Sequence, residues 1–379
     1  VLYDTTATTH LGAIRRNLER IRARVTADRP DRRVLLAVKA DAYGHGAAAV
    51  ATMAQATGTA DWFGVATVPE ALELRDAGVT LPIMKLSPAV TAGEREAAVA
   101  SDITLTVVDA DTIDAAELAA RKAGRTASVH LKVDTGMRRI GCEPDVAADL
   151  CHRIDAAGNL SLGGVYSHLP VSDVESGRSF TAGQIAEYRR VVEACEDARG
   201  PIPLKHLANS GGVLMHPDSW FDMVRPGVLA YGYLPDADSE PTVDVEPGIS
   251  WTTYVTFVKR VRAGESVSYG RTWSAPRDTW IATVSVGYAD GFSRLFSNNG
   301  RVLIRGRSYP IVGRVSMDQT MVDLGPDLPA VAVGDRVVLL GTSGHESIGC
   351  AELAARMGTI TYEVTCLIGP RVTREFDDD

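Results

Sequence analysis

The chain has 379 residues, 45% hydrophobic and 23% charged, enough to bury a sizeable core and to divide into two domains. A formal charge of −9 with dispersed basic residues argues against a nucleic-acid face and favours a small or zwitterionic partner. The five cysteines are widely spaced, without metal-type CxxC pairs or a dense disulfide pattern, and no run approaches the ~18 apolar residues of a membrane span or forms an export signal, so a cytoplasmic protein without a metal centre is expected.

After a helical opening, LGAIRRNLERIRARV, short β-rich apolar runs alternate with longer Ala- and Glu-rich stretches of helical period. The runs are VLLAVK (34–39), WFGVAT (62–67), PIMKLS (82–87), ITLTVV (103–108), SVHLKVD (128–134), LGGVYSH (162–168), LKHLAN (204–209) and DMVRPG (222–227). Amphipathic segments such as Pro69–Asp76, Asp111–Lys122 and Gln184–Glu196 are long enough to be the crossovers that parallel strands require. Eight such units predict a (β/α)8 barrel of the TIM type. Near residue 236 the texture becomes polar and proline-containing (DADSEPTVDVEPG), which predicts a boundary between a barrel domain, 1–236, and a second domain, 237–379. The second domain reads as mostly β, with AELAARMG its only helical stretch.

In a barrel of this kind the functional groups sit at the carboxyl ends of the strands. Run one ends at Lys39 in AVKADAYGHG, run five is followed by Thr135, Gly136 and Arg139, run six ends at His168, run seven at Asn209 and Ser210, and run eight carries Arg225 before Gly227. Alone, Lys39 reads as a solvated loop lysine and His168 as a core histidine. At the inner end of an apolar strand, however, a lysine is partly desolvated, which favours the neutral amine that attacks a carbonyl. That suits a Schiff base. If the aldehyde belongs to pyridoxal 5'-phosphate, its phosphate needs hydroxyl and N–H donors, which Tyr43, Ser210 and the Gly227–Val228 backbone could supply.

The segments AVKADAYGHG, LKVDTGMRRIG, VRPGVLAYG, VSYGRTW, VGYADG, GRVSMDQ and TYEVTCLIGPRVTR, in this order, resemble alanine racemase from about Leu11 to Arg374. The resemblance implies a pyridoxal-phosphate enzyme that interconverts L- and D-alanine, with Lys39 holding the cofactor and acting as base on one face of the substrate Cα. Tyr269 would be the base on the other face, so that a proton removed from one side is returned to the other. A free tyrosine, with a pKa of ~10, is a poor base near neutrality, and His168 with Arg225 is expected behind it. The resemblance sets Arg225 against the cofactor's pyridine nitrogen, where related barrel decarboxylases carry a carboxylate in an E-P-G context and this chain reads V-R-P-G. It sets Arg139 against the cofactor's phenolic oxygen and the substrate carboxylate, and makes Lys132 a site of carbamylation. Lys132 alternates with Leu131 and Val133 and so points away from them, into the barrel.

Met317, Asp318, Tyr288, Arg294 and Arg314 resemble the residues that the β domain sends to the substrate and its access corridor, and Tyr362 resembles a tyrosine touching phosphate. The family arrangement implies a head-to-tail homodimer with shared sites, and a role supplying D-alanine for peptidoglycan. Three departures stand out: Arg138 where glycine is common, Leu169-Pro170-Val171-Ser172-Asp173 where H-F-A-x-A-D is usual after the histidine, and Ser316 for a frequent cysteine. The alternatives are a broader amino-acid racemase with the same machinery, a fold-related decarboxylase, which Arg225 disfavours, and a non-enzymatic cofactor-binding barrel, which Tyr269, Met317 and Tyr362 disfavour.

Overall fold

The computed structural model describes residues 5–379, which fall into two compact units: Ile14–Glu246, and the residues up to Ala13 together with Pro247–Asp379. In the first unit all eight apolar runs are parallel strands. They are β2 (Arg33–Ala37), β3 (Trp62–Val65), β4 (Ile83–Lys85), β5 (Ile103–Val107), β6 (Ala127–Lys132), β7 (Leu160–Tyr166), β8 (Lys205–His206) and β9 (Met223–Val224), numbered after an opening strand β1 (Thr6–His10). Neighbours in sequence are neighbours in the sheet, and β9 pairs with β2. The ring is drawn together by Asp222 N–H donating to Lys205 O and Arg225 N–H to Ala208 O, each at 2.9 Å. Leu35, Trp62, Met84, Tyr166, Leu204 and Met223 form one packed cluster, and residues from so many strands can meet only inside the barrel.

Several crossover helices start at built caps. Thr67 and Glu70 form a capping box before Val68–Asp76, Thr91 and Glu94 before Ala92–Ala100, and Asp109 and Thr112 before Ala110–Ala123. Each helix therefore begins at a fixed distance from its strand end, which holds the loops at the mouth in place.

In the second unit β10 (Ile249–Val261) is a long strand pairing with three others, β1, β13 (Thr279–Val284) and β17 (Arg336–Ser343), while β1 in turn pairs in parallel with β19 (Thr373–Asp377). The remaining strands are β11 (Ser266–Val267) with β12 (Trp273–Ser274), β14 (Arg301–Ile304) with β15 (Arg307–Pro310), β16 (Thr320–Gly325) against β13, and β18 (Glu346–Ile348) against β17. The opening strand thus belongs with the β unit, because it pairs with β10 and β19, and the units divide at 13/14 and 246/247 instead of once at 236/237. Helix Cys350–Met357 covers AELAARM, and a second helix, Thr361–Cys366, lies beyond the single one expected. No helix among the described residues is long and apolar enough to cross a membrane.

Candidate active site

Lys39 lies two residues beyond the end of β2, after Val38, and is half-buried. The four residues after it, Ala40 to Tyr43, all hold φ between 52° and 56°, so the backbone makes a left-handed turn without a glycine until Gly44. Such a turn brings Cβ against carbonyl oxygen and persists only when its surroundings enforce it. Here Glu70 Oε1 accepts the Ala40 N–H at 2.8 Å while its other oxygen takes the N–H groups of Ala66 and Thr67. Asp41 Oδ1 accepts the Ala47 N–H at 2.7 Å, and the Tyr43 ring lies 5.1 Å from that of Tyr231, whose hydroxyl donates to Ala37 O. The lysine is held between a strand and a locked turn.

Across the mouth, Arg225 is buried and donates to Ser167 O (2.6 Å), Leu207 O (3.0 Å) and His206 Nδ1 (3.0 Å), with His168 Nδ1 at 3.4 Å. Its guanidinium also lies 5.4 Å from the Tyr166 ring centre, and Lys132 Nζ lies 5.1 Å from the same ring. Burial pulls Arg225 down to about 10, which leaves it a cation at neutrality. Burial, followed by the charges of Arg225 and Arg139, brings Lys132 down to about 7. His168 is pushed well below the ordinary imidazole range by burial and then by Arg225 and the neighbouring cations Lys132, Arg139 and Lys39. The carboxylate that opposes these charges at Lys132 is Asp134, and its Oδ1 already accepts the N–H groups of Gly136 and Arg138. The barrel mouth therefore holds a surplus of positive charge, an environment that an anionic ligand would relieve.

Ser210 Oγ accepts from the N–H groups of Gly227 (3.0 Å) and Leu229 (3.3 Å), bonds that do not use its own proton and leave it available to a further acceptor. A Cβ at Gly227 would overlap the Tyr43 hydroxyl, which places those two residues in direct contact. Asn209 caps the turn that carries Ser210, accepting from Gly212 N–H and Ser172 Oγ and donating to Leu169 O. The unusual Leu169–Asp173 loop is thus anchored to Asn209 through both Leu169 and Ser172. Arg138 explains itself as well: its φ is 54°, a value that suits glycine, while its side chain reaches outward to pair with Glu143.

The structure thus gathers Lys39, Tyr43, Lys132, Arg139, His168, Asn209, Ser210, Arg225, Gly227 and Val228 at one end of the barrel. Tyr269, Tyr288, Met317, Asp318 and Tyr362 belong to the other unit. Tyr269 opens a short turn set by Ser268 and Gly270, both with positive φ, and Ser268 Oγ donates to Arg314 O. Met317 O accepts the Ala289 N–H, and Arg371 links Asp318 to the buried Asp290, so the 288–290 and 316–318 turns form one surface. Tyr269 is 73% exposed, Met317 53% and Tyr288 44%, unusual exposure for large side chains on well-held turns.

Reasoning from the sequence overlooked His206 and Tyr166, which hold Arg225, and His130 behind them. His130 shares the inward side of β6 with Lys132, two residues on, so the alternation that oriented Lys132 also marks His130.

Comparison with known proteins is consistent along the whole chain. The alanine racemase N-terminal domain model matches residues 9–235 and the alanine racemase C-terminal domain model residues 248–376. An alanine racemase of Cutibacterium acnes is 50% identical over 364 residues, covering 96% of this chain and 95% of its own, and that of Chlorobaculum tepidum is 46% identical over 96% and 93%. Among solved structures, alanine racemase from Clostridium difficile matches with a TM-score of 0.93 at 33% identity, over 100% of this chain and 97% of its own. That of a D-cycloserine-producing Streptomyces lavendulae matches with a TM-score of 0.91 at 36% identity, over 99% and 97%. Barrel, β unit and near full-length relatives agree, and the chain belongs to the alanine racemase family of isomerases.

Proposed function

We propose that the protein interconverts L- and D-alanine with pyridoxal 5'-phosphate as cofactor and with Lys39 and Tyr269 as its two proton-transfer groups. The observation that carries this reading is the surplus of cations at the barrel mouth together with a Ser210 hydroxyl whose proton is not used by the two bonds its oxygen accepts, a donor set suited to a phosphate and a carboxylate. When bound, the cofactor draws electron density from the substrate Cα and makes its proton removable.

Lys39 serves as the covalent anchor and moves the proton at one face of Cα. Tyr269 moves it at the opposite face, assisted by His168 and Arg225. Arg225 can only donate: with Nη2 engaged by two carbonyls and one Nη1–H by His206, its Nε–H and second Nη1–H remain to face the ring nitrogen without taking its proton. Arg139 orients the substrate carboxylate, with the Met317 N–H, Asp318 and Tyr288 on the substrate side. Tyr43, Ser210, Gly227, Val228 and Tyr362 hold phosphate, and Asn209 fixes the Ser210 turn. At about 7, Lys132 retains enough neutral amine to add carbon dioxide, forming an N–COO⁻ group and releasing a proton, which would reverse its charge beside Arg139. Exposure of Tyr269, Met317 and Tyr288 on well-held turns supports a head-to-tail homodimer in which a second copy covers that face and completes the site. The D-alanine product would supply peptidoglycan synthesis.

The test is to incubate cofactor-loaded protein with L-alanine and a panel of other L-amino acids and follow loss of optical activity. Loss with alanine, absent in Lys39→Ala, is expected; release of carbon dioxide instead would point to a decarboxylase and overturn the reading. Equal rates across the panel would favour the broader racemase.

A further inference from the structure

Behind Arg225 two buried histidines interrupt the apolar packing of the barrel interior. His130 Nδ1 lies 2.9 Å from His206 Nε2, and His206 Nδ1 lies 3.0 Å from Arg225 Nη1. Both rings are fully buried. Tyr166 stacks flat on His206, with ring centres 4.8 Å apart and planes 1° from parallel, and Trp62 leans on His130 at 5.5 Å. The backbone is shaped around this pair. The register between β6 and β7 slips just before His130, so that Gly163 is the extra residue, and a Cβ there would come within 2.9 Å of His130 Nε2 and 2.8 Å of Ser128 Oγ. At Gly164 a Cβ would come within 2.9 Å of His130 Cε1. Two consecutive glycines make the space for one imidazole.

Hydrogen-bond chemistry then fixes every proton. A guanidinium has donors only, so His206 Nδ1 must present its lone pair and carry its hydrogen on Nε2. That hydrogen points at His130 Nδ1, which must accept it, leaving the second ring's hydrogen on Nε2, in the space opened by Gly163. We infer that His206 and His130 form a one-way hydrogen-bond chain of two neutral Nε2–H tautomers that fixes the plane of Arg225 and keeps it cationic, with His130 a positioning residue acting through His206. A proton added to either ring would oppose a donor to a donor. Burial and the Arg225 charge resist it, holding His130 down to about 3 and His206 well below its ordinary range, while Lys132 adds a further positive charge beside His206. The consequence for turnover rests on the proposed role of Arg225; the chain of hydrogen bonds does not.

The experiment is nitrogen NMR on histidine-labelled protein without cofactor, together with steady-state kinetics of two variants in the loaded enzyme. The expected spectrum contains two imidazoles with unprotonated Nδ1 and protonated Nε2, unchanged between about pH 5 and pH 8. His130→Asn keeps an acceptor near the position of Nδ1, whereas His130→Leu fills the space with an apolar group. His130→Leu should lower kcat in both directions about tenfold with KM little changed, and His130→Asn should restore most of it. An Nδ1–H pattern, or titration of either ring within that range, would refute the chain whether or not the protein racemises alanine. Leucine performing as well as asparagine would leave the spectrum intact and refute the positioning role.

Discussion

The left-handed turn after Lys39 makes an unusual prediction about glycine. Ala40 has φ 52° and an exposed side chain, and its N–H is held by Glu70. A left-handed L-residue carries roughly 1–2 kcal/mol of steric cost, which Ala40→Gly removes. Glycine gives back roughly 0.5–1 kcal/mol through the extra freedom of the unfolded chain. The difference is a net stabilisation of about 0.5–1 kcal/mol, opposite in sign to the usual effect. Ala186→Gly, at an exposed position inside helix Arg178–Arg199 of the same unit, is the control and should cost about 1 kcal/mol. Urea unfolding of the cofactor-free protein measures both against the parent. If Ala40→Gly shifts the midpoint downward as far as Ala186→Gly does, the turn is not strained and the account of how Lys39 is held fails.

Tyr269→Phe should slow racemisation at least tenfold from one enantiomer and less from the other in single-turnover assays; equal small losses in both directions would assign the second proton transfer elsewhere. Lys132→Met should raise the stability of cofactor-free protein by about 1–3 kcal/mol at pH 6, where the buried ammonium is mostly charged. Because the folded pKa of Lys132, about 7, lies below its unfolded value, the parent gains stability as pH rises above 7, so the advantage of Lys132→Met should shrink toward pH 10; a constant difference in urea midpoint would contradict this. Arg371→Ala strips a partner from the fully buried Asp290 and should cost about 3 kcal/mol in thermal unfolding, whereas Arg305→Ala, at the more exposed pair with Asp335, should cost under about 0.5 kcal/mol. Equal losses would mean that burial does not set the worth of these pairs.

The barrel was legible because strands covered on both faces must be apolar throughout, so even β8 and β9, two residues each, announced themselves by the runs around them. Their carboxyl ends then located Lys39, His168, Asn209, Ser210 and Arg225. What escaped depends on partners distant in sequence. In ADAY only Asp41 is a residue type that tolerates positive φ readily, and the run of four is imposed by Asp41 together with the distant Glu70 and Tyr231. Strand β1, TATTH, is short and meets its neighbours only after residue 248, so its alternation had no local context. Helix Thr361–Cys366 is hidden by β-branched residues, which lower helix propensity without forbidding a single packed turn. The polar lining of the barrel was half visible: inward alternation oriented Lys132, but the pairing of His130 with His206 required knowing which strands are adjacent.

The first strand also fixes an order of events during synthesis. Thr6–His10 leaves the ribosome before any barrel residue, yet both its neighbours, β10 and β19, are made after the barrel is complete. The barrel can therefore close co-translationally around its own contacts, while the strand waits with unsatisfied edges until Thr373–Asp377 has been made. A nascent chain truncated just short of Thr373 would retain a complete barrel and an unfinished sheet.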